Sequence, residues 1–266
     1  MSFTQKLQKK FSENKHIAVG LDSDINKIPQ HLKNNSDPIF EFNRIIIENT
    51  ASYAASYKLN FAFYEGDGAR GFEALQKTIE IIPEDVLIIG DAKRGDIGNT
   101  SEMYAKSVFD HFKCDSVTLA PYMGIDSIEP FIKYEDKLSF ILALTSNKSS
   151  ADFEKLRLEG GEYLYQRVIR KVKEWNTRKN CGVVFGATNL AELSENLELL
   201  KGLYLLIPGV GAQGGSAKDV SSVLSKAGIS EYLINVSRSL IYADSGKDFG
   251  AAAKKEIVKL NEEISH

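Results

Sequence analysis

Val86-Leu87-Ile88-Ile89-Gly90-Asp91-Ala92-Lys93-Arg94-Gly95-Asp96-Ile97-Gly98-Asn99-Thr100 divides into two halves of opposite character. The first is an unbroken apolar run of the kind that lies buried on both faces of a parallel sheet. It predicts a strand over 86–89, with charge beginning where the strand ends. Asp91 and Lys93 are two apart, so an extended backbone sends both side chains to the same side, an acid and a base in one small space. Gly95 lets the chain turn, Asp96 adds a second carboxylate, and 98–100 lead into a helix through Ser101 to Phe109.

Outward from this stretch the same alternation repeats. Short apolar runs at 17–21, 56–61, 116–119, 140–144, 183–185, 204–207 and 232–236 bring the expected strands to eight. Helical patterns lie between them, among them 38–53, with Asp37 as N-cap and Pro38 in the first turn, and 163–177. Strict β-then-α order predicts a parallel sheet, and eight units favour closure into a (β/α)8 TIM barrel over an open doubly wound sheet. At 266 residues the whole chain, 1–266, is expected to be a single barrel catalytic domain. Phe3, Leu7 and Phe11 recur at helical spacing behind a Ser2/Gln5 capping box, which predicts an N-terminal capping helix rather than a targeting signal. The segments 23–37 and 147–161 read as enlarged loops.

A hydrophobic content of 43% and a charged content of 26% are those of a soluble globular protein. The net charge of −3 supplies no basic field for nucleic acid, and small molecules are the expected partners. No run approaches the roughly 18 to 20 apolar residues that span a bilayer, so no membrane association and a cytoplasmic location are expected. Cys114 and Cys181 stand in no metal or redox spacing and are expected to be reduced and buried. His16, His31, His111 and His266 form no metal pair, and no metal site is expected.

In a barrel, the loops at the carboxyl ends of the strands share one face, where such folds place their chemistry. The polar residues collect there: Asp22 after the first strand, Lys58 and Asn60 in the second, Asp91 and Lys93 after the third, Thr145-Ser146-Asn147 after the fifth. A lysine within an apolar strand is costly unless carboxylates face it, and Asp22 and Asp91 are positioned to do so. Pro208-Gly209-Val210-Gly211-Ala212-Gln213-Gly214-Gly215 after the seventh strand and Ser237-Arg238-Ser239 after the eighth read as a phosphate cradle, backbone N–H groups plus a guanidinium. The embedded G-x-G-x-x-G is not read as a dinucleotide site, because only one strand follows it and no acid ends that strand.

With these residues assembled, the chain closely resembles the orotidine 5′-phosphate decarboxylases, in a divergent, longer-loop branch. The resemblance rests on Asp91-Ala-Lys93-Arg-Gly-Asp96-Ile97-Gly-Asn-Thr100, supported by Gly20-Leu21-Asp22, Lys58, Pro208-Gly-Val-Gly-Ala-Gln213-Gly-Gly and Ser237-Arg238. It implies cofactor-free decarboxylation of orotidine 5′-monophosphate to uridine 5′-monophosphate in pyrimidine biosynthesis. Lys93 would stabilise and protonate the C6 carbanion, with Asp91, Asp96 and Lys58 as the other catalytic residues. Asp22 and Lys58 would bind ribose hydroxyls, Ser146 the pyrimidine edge, and Gln213 and Arg238 the phosphate. Asn60, Ile97, Pro208 and Ser237 would be further substrate contacts. Asp96 and Thr100 would be supplied across the interface of a homodimer. The tyrosine that some members place on the phosphate is not evident between Gly209 and Lys218. Two other readings are a magnesium-dependent sugar-phosphate decarboxylase of the same superfamily, which would carry an acid where this chain has Lys58, and a non-catalytic nucleotide-phosphate-binding barrel.

Overall fold

Eight strands, β1 (Ile17–Gly20), β2 (Ser56–Asn60), β3 (Leu87–Arg94), β4 (Ser116–Leu119), β5 (Leu138–Leu144), β6 (Cys181–Phe185), β7 (Tyr204–Ile207) and β8 (Tyr232–Val236), pair in chain order. All pairings are parallel, and β8 closes on β1 through Ala18 and Asn235, completing a barrel with helices between the strands. This is a computed structural model, and it describes residues 1–264. His266 lies outside the described residues.

Along each strand, alternate residues face two different cores. Ala18, Ala55, Leu87, Ile89, Phe140, Val184, Leu206 and Leu233 fill the lumen, while their neighbours Val19, Ile88, Val183, Leu205 and Ile234 pack under the surrounding helices. The N-terminal helix α1 (Phe3–Ser12) stoppers the lumen from the amino ends of the strands with Phe3 and Leu7. Its predicted capping box is formed, with Gln5 N donating to Ser2 Oγ and Ser2 N to Gln5 Oε1. Three lysines pin it in place: Lys6 Nζ lies 2.7 Å from the buried Asp115 carboxylate, and Lys9 and Lys10 Nζ lie 2.8 and 2.9 Å from Asp85. Asp115 also accepts from Ile88 N, so the anchor reaches β3 itself.

The helix Pro38–Thr50 starts where Asp37 caps it. The C-terminal helix Phe249–Ile264 packs against it, with Phe249 stacked on Phe42 at 5.1 Å. Gly250 is required there, because a Cβ would lie 2.6 Å from Asn49 Nδ2 and 2.8 Å from Ile45. The enlarged loops contain short 3-10 turns, Gln30–Leu32 and Lys148–Asp152.

One expectation is corrected. β3 does not stop at Ile89 but runs on through Asp91 and Lys93 to Arg94. Its pairing with β4 shifts between Gly90 and Arg94, which face Val117 and Leu119, so four steps along β3 match two along β4. Lys93 absorbs the mismatch with φ 47°, in the left-handed region that side-chain-bearing residues rarely enter. The charges persist within a strand because neighbouring strands supply their counter-charges. The helix that follows also begins earlier than expected, at Gly98.

Candidate active site

Asp91 is the hub of the carboxyl-end face. Register brings β2 alongside, pairing Gly20 with Lys58 and Lys58 with Ile89, so Lys58 and Asp91 both project from the lumen side of adjacent strands. Asp91 Oδ2 accepts from Lys58 Nζ at 2.9 Å, and Oδ1 accepts from Lys93 Nζ at 2.6 Å and Thr118 Oγ1 at 2.8 Å. Lys58 Nζ also lies 3.5 Å from Asp22 Oδ1. Charges therefore alternate as Asp22, Lys58, Asp91, Lys93. Thr118 ties the far end, its Oγ1 accepting the Lys93 N–H at 3.0 Å.

Burial alone would drive Lys58 toward the neutral amine, yet Asp91 and then Asp22 outweigh it and hold its pKa above the ordinary lysine value. Burial likewise opposes ionisation of Asp91, and Lys58 and Lys93 overcome it, holding its carboxyl well below the usual carboxylate range. Such an array is tolerable only because each buried charge has an opposite one in contact. The Lys58 and Asp91 side chains are 5% and 9% exposed, whereas that of Lys93 is 49% exposed, so Lys93 is the more accessible of the two lysines to an incoming ligand.

These groups line one side of a cavity of about 330 Å³, together with Asn60. Asn60 Oδ1 caps the short helix Phe61–Glu65 by accepting from Ala62 N. The floor is apolar, from Leu142, Val184 and Leu206. The opposite wall holds Ser146, Pro208, Gln213, Ser237 and Arg238. Ser146 Oγ donates to Gln213 Oε1 at 2.6 Å, joining the β5 and β7 loops. The glycine-rich loop is folded on itself, Gly215 N donating to Gly209 O and Gly211 N to Gly215 O. Gly209 has φ 100° and leaves no room for a Cβ, which would lie 2.9 Å from Ser146 Cβ. Among the described residues Arg238 enters no ion pair, which leaves its guanidinium available to an anion.

The structure thus brings together Asp22, Lys58, Asn60, Asp91, Lys93, Ser146, Pro208, Gln213, Ser237 and Arg238. It does not bring in Asp96, Ile97 or Thr100 from the same chain. The Asp96 carboxylate accepts its neighbour's N–H at 2.8 Å, and Ile97 is 53% exposed outside the cavity. Within its own chain Lys93 is accordingly paired with one acid, Asp91.

Sequence reasoning missed Thr118 and Asn235, polar residues in apolar strands that line the cavity. The signal that singled out Lys58 was present at both. Asn235 Oδ1 and Ser237 Oγ are buried and, among the described residues, have no hydrogen-bond partner.

A cavity with an ion array, an apolar floor and an anion-binding loop fits a phosphorylated ring compound. A family model described as orotidine 5′-phosphate decarboxylase / HUMPS family matches residues 16–255. An orotidine 5′-phosphate decarboxylase of Porphyromonas gingivalis is 49% identical over 251 residues, covering 93% of this chain and 91% of that protein. The solved OMP decarboxylase of Leishmania donovani has a TM-score of 0.84 at 36% identity, over 99% of both chains. The UMP synthase of the same organism has a TM-score of 0.86 at 37% identity, over 99% of this chain, which spans 57% of that longer one. By this match along its length, the chain belongs to the orotidine 5′-phosphate decarboxylase / HUMPS family.

Proposed function

We propose that Lys93, held by Asp91, is the group on which the reaction turns, and that Gln213 and Arg238 hold the substrate's phosphate. The reaction is the decarboxylation of orotidine 5′-monophosphate to uridine 5′-monophosphate and carbon dioxide. The bond from C6 to the carboxylate breaks and leaves its electron pair on C6. The Lys93 ammonium faces that developing charge and delivers its proton to C6; the resulting amine takes a proton back from solvent. The observation that carries this reading is the ion chain lining the cavity, in which Lys93 is the most exposed member.

Asp91 serves by fixing the ammonium: its Oδ1 holds Lys93 while Lys58 and Thr118 hold Asp91. Preorganisation of this kind spares reorganisation at the moment of reaction. Asp22, Lys58 and Asn60 are assigned to the ribose side and Ser146 to the pyrimidine edge. The Lys58 ammonium lies between the Asp22 and Asp91 carboxylates, so a side chain already occupies the position a divalent cation would need to bridge them. This supports the decarboxylase over the metal-dependent sugar-phosphate enzyme.

Asp96, Ile97 and Thr100 are assigned to the neighbouring subunit's site in a homodimer. Support comes from their place outside their own cavity and from apolar side chains exposed nearby, with Met103 63%, Tyr122 90% and Met123 45% exposed. Among the described residues no helix is long and apolar enough to cross a membrane. The cytoplasm is assigned as the site of action, in keeping with a biosynthetic activity and two unpaired buried thiols.

The test is to follow the ultraviolet absorbance of orotidine 5′-monophosphate with purified protein in the presence of a chelator. Turnover unchanged by the chelator is expected; absence of turnover, or its loss on chelation, overturns the reading.

A further inference from the structure

Ser146 is the residue that joins the two ends of the cavity, and its position depends on the chain around it. The Thr145-Ser146 segment leaves β5 with no strand neighbour of its own. Gly186 and Gly209 confine Ser146 sterically, since a Cβ at either would lie within 3.0 Å of it. Thr188 Oγ1 donates to Ser146 O and Asn189 Nδ2 to Thr145 O, which satisfies the carbonyl side. The amide side is held by one group, the Glu154 carboxylate, which accepts from Thr145 N at 2.7 Å; the single Thr145 Oγ1 proton faces Asn147 Oδ1 at 2.6 Å and the same carboxylate at 2.9 Å.

Glu154 comes from the enlarged loop, does not line the cavity, and is itself fixed at both backbone ends. Its N–H donates to Ser150 O at 2.8 Å and its carbonyl accepts from Tyr165 N at 2.9 Å. Lys155 next to it is ion-paired with Glu192 on the helix Leu190–Glu195. The loop at 147–161 is therefore a brace with a rigid foot and one reaching carboxylate. A carboxylate acceptor makes a charge-assisted bond to an amide, stronger than a neutral one.

We propose that Glu154 is a positioning residue for the decarboxylation: by fixing the Thr145 amide, it sets where Ser146 Oγ stands relative to the pyrimidine and to Gln213. This rests on the functional reading above. It gives the enlarged loop a purpose in binding, although none of its side chains from 148 to 161 reaches the cavity.

The test is a double-mutant cycle on kcat/KM for orotidine 5′-monophosphate, with wild-type turnover as the control for the functional reading. Glu154→Ala should lower kcat/KM by about ten- to a hundredfold, the scale of a misplaced contact. Glu154→Gln should recover most of that loss, since its amide oxygen still accepts the Thr145 N–H. In a Ser146→Ala background, Glu154→Ala should cost no more than about twofold further, because the group it positions is already gone. Undiminished kcat/KM in Glu154→Ala, failure of the Gln variant to recover activity, or losses that multiply in the double variant would overturn the proposal. If the wild type turns over, any of these results refutes the role of Glu154 alone. If Glu154→Ala does not fold, Glu154→Asp, whose shorter side chain draws the carboxylate back from the Thr145 N–H, carries the same test alone and combined with Ser146→Ala: a lowering of kcat/KM that the Ser146→Ala background abolishes is expected, and undiminished kcat/KM overturns the proposal.

Discussion

Lys93 and Asp91 share one hydrogen bond, but their replacement has different consequences. Lys93→Ala removes the reachable cation and leaves Asp91 paired with Lys58, so the fold should survive. kcat/KM should fall by at least about three orders of magnitude, about 4 kcal/mol of transition-state stabilisation, while binding of inorganic phosphate at Arg238 persists. Steady-state kinetics alongside phosphate titration measure both. Asp91→Asn instead removes the charge that two lysines face. The Asp91 carboxyl is depressed in the folded state, so its stabilising contribution is present above the unfolded carboxylate value near 3.9 and is lost as pH falls through the lower folded one. Lys58 is raised, so its contribution is present below about 10.4 and is lost only as pH climbs through the folded value. Between about pH 5 and 9 the array is thus constant. The thermal midpoint of the wild type should drop on acidification below about pH 4, and Asp91→Asn, already less stable at neutrality, should show a shallower acid limb. Equal slopes for the two proteins would contradict this account.

At the scale of elements, the barrel keeps its anchorage and its chemistry at opposite ends. Asp115 sits at the amino end, taking Lys6 from α1 and the Ile88 N–H from β3. Asp115→Ala would leave a buried ammonium without its counter-charge, with only the Val86 carbonyl at 3.4 Å, and the Ile88 amide without its acceptor, at a cost of about 3 kcal/mol or more. Chemical denaturation should register that loss, with kcat of the folded fraction unchanged. The same division explains what could be read in advance. Eight strands, their closure, the Ser2/Gln5 box and the Asp37 cap are written in local periodicity and capping chemistry, and all of them form. The true end of β3 is not written locally, because charged residues within a strand look like a loop until Lys58 and Thr118 arrive from β2 and β4. The Ser146–Gln213 bond joins residues 67 positions apart, and no local pattern announces it. Nor does one announce Glu154, whose role depends on how an irregular loop folds back on Thr145.

For the whole molecule, the proposed assembly makes a quantitative prediction. Lys93→Ala and Asp96→Ala chains are each expected to be inactive alone. Unfolded, mixed equally and refolded, they should form about half hybrid dimers, each with one site carrying both defects and one carrying neither. About a quarter of wild-type activity should return. Hybrid dimers seen by mass spectrometry without recovered activity would mean that each site draws both residues from one chain. Cys114 and Cys181 offer a second whole-molecule reading. Both are buried, and burial pushes the Cys181 thiol up to about 12 and Cys114 higher still. Neither should be alkylated at neutral pH in the native state, and both should react once the barrel opens. Rapid labelling without unfolding would show an opening smaller than the global one.

The left-handed backbone at Lys93 sets two pressures against each other. Glycine is at ease at φ 47°, so Lys93→Gly should be more stable than Lys93→Ala by roughly 1 kcal/mol. Between two variants that both lack the ammonium, a screen for heat resistance alone would favour glycine over alanine at that position, with the chemistry lost in either case. Lys113 and Lys179 hold the same left-handed conformation away from the cavity, so what sets Lys93 apart is not the angle but the ammonium it carries to Asp91 and to the cavity.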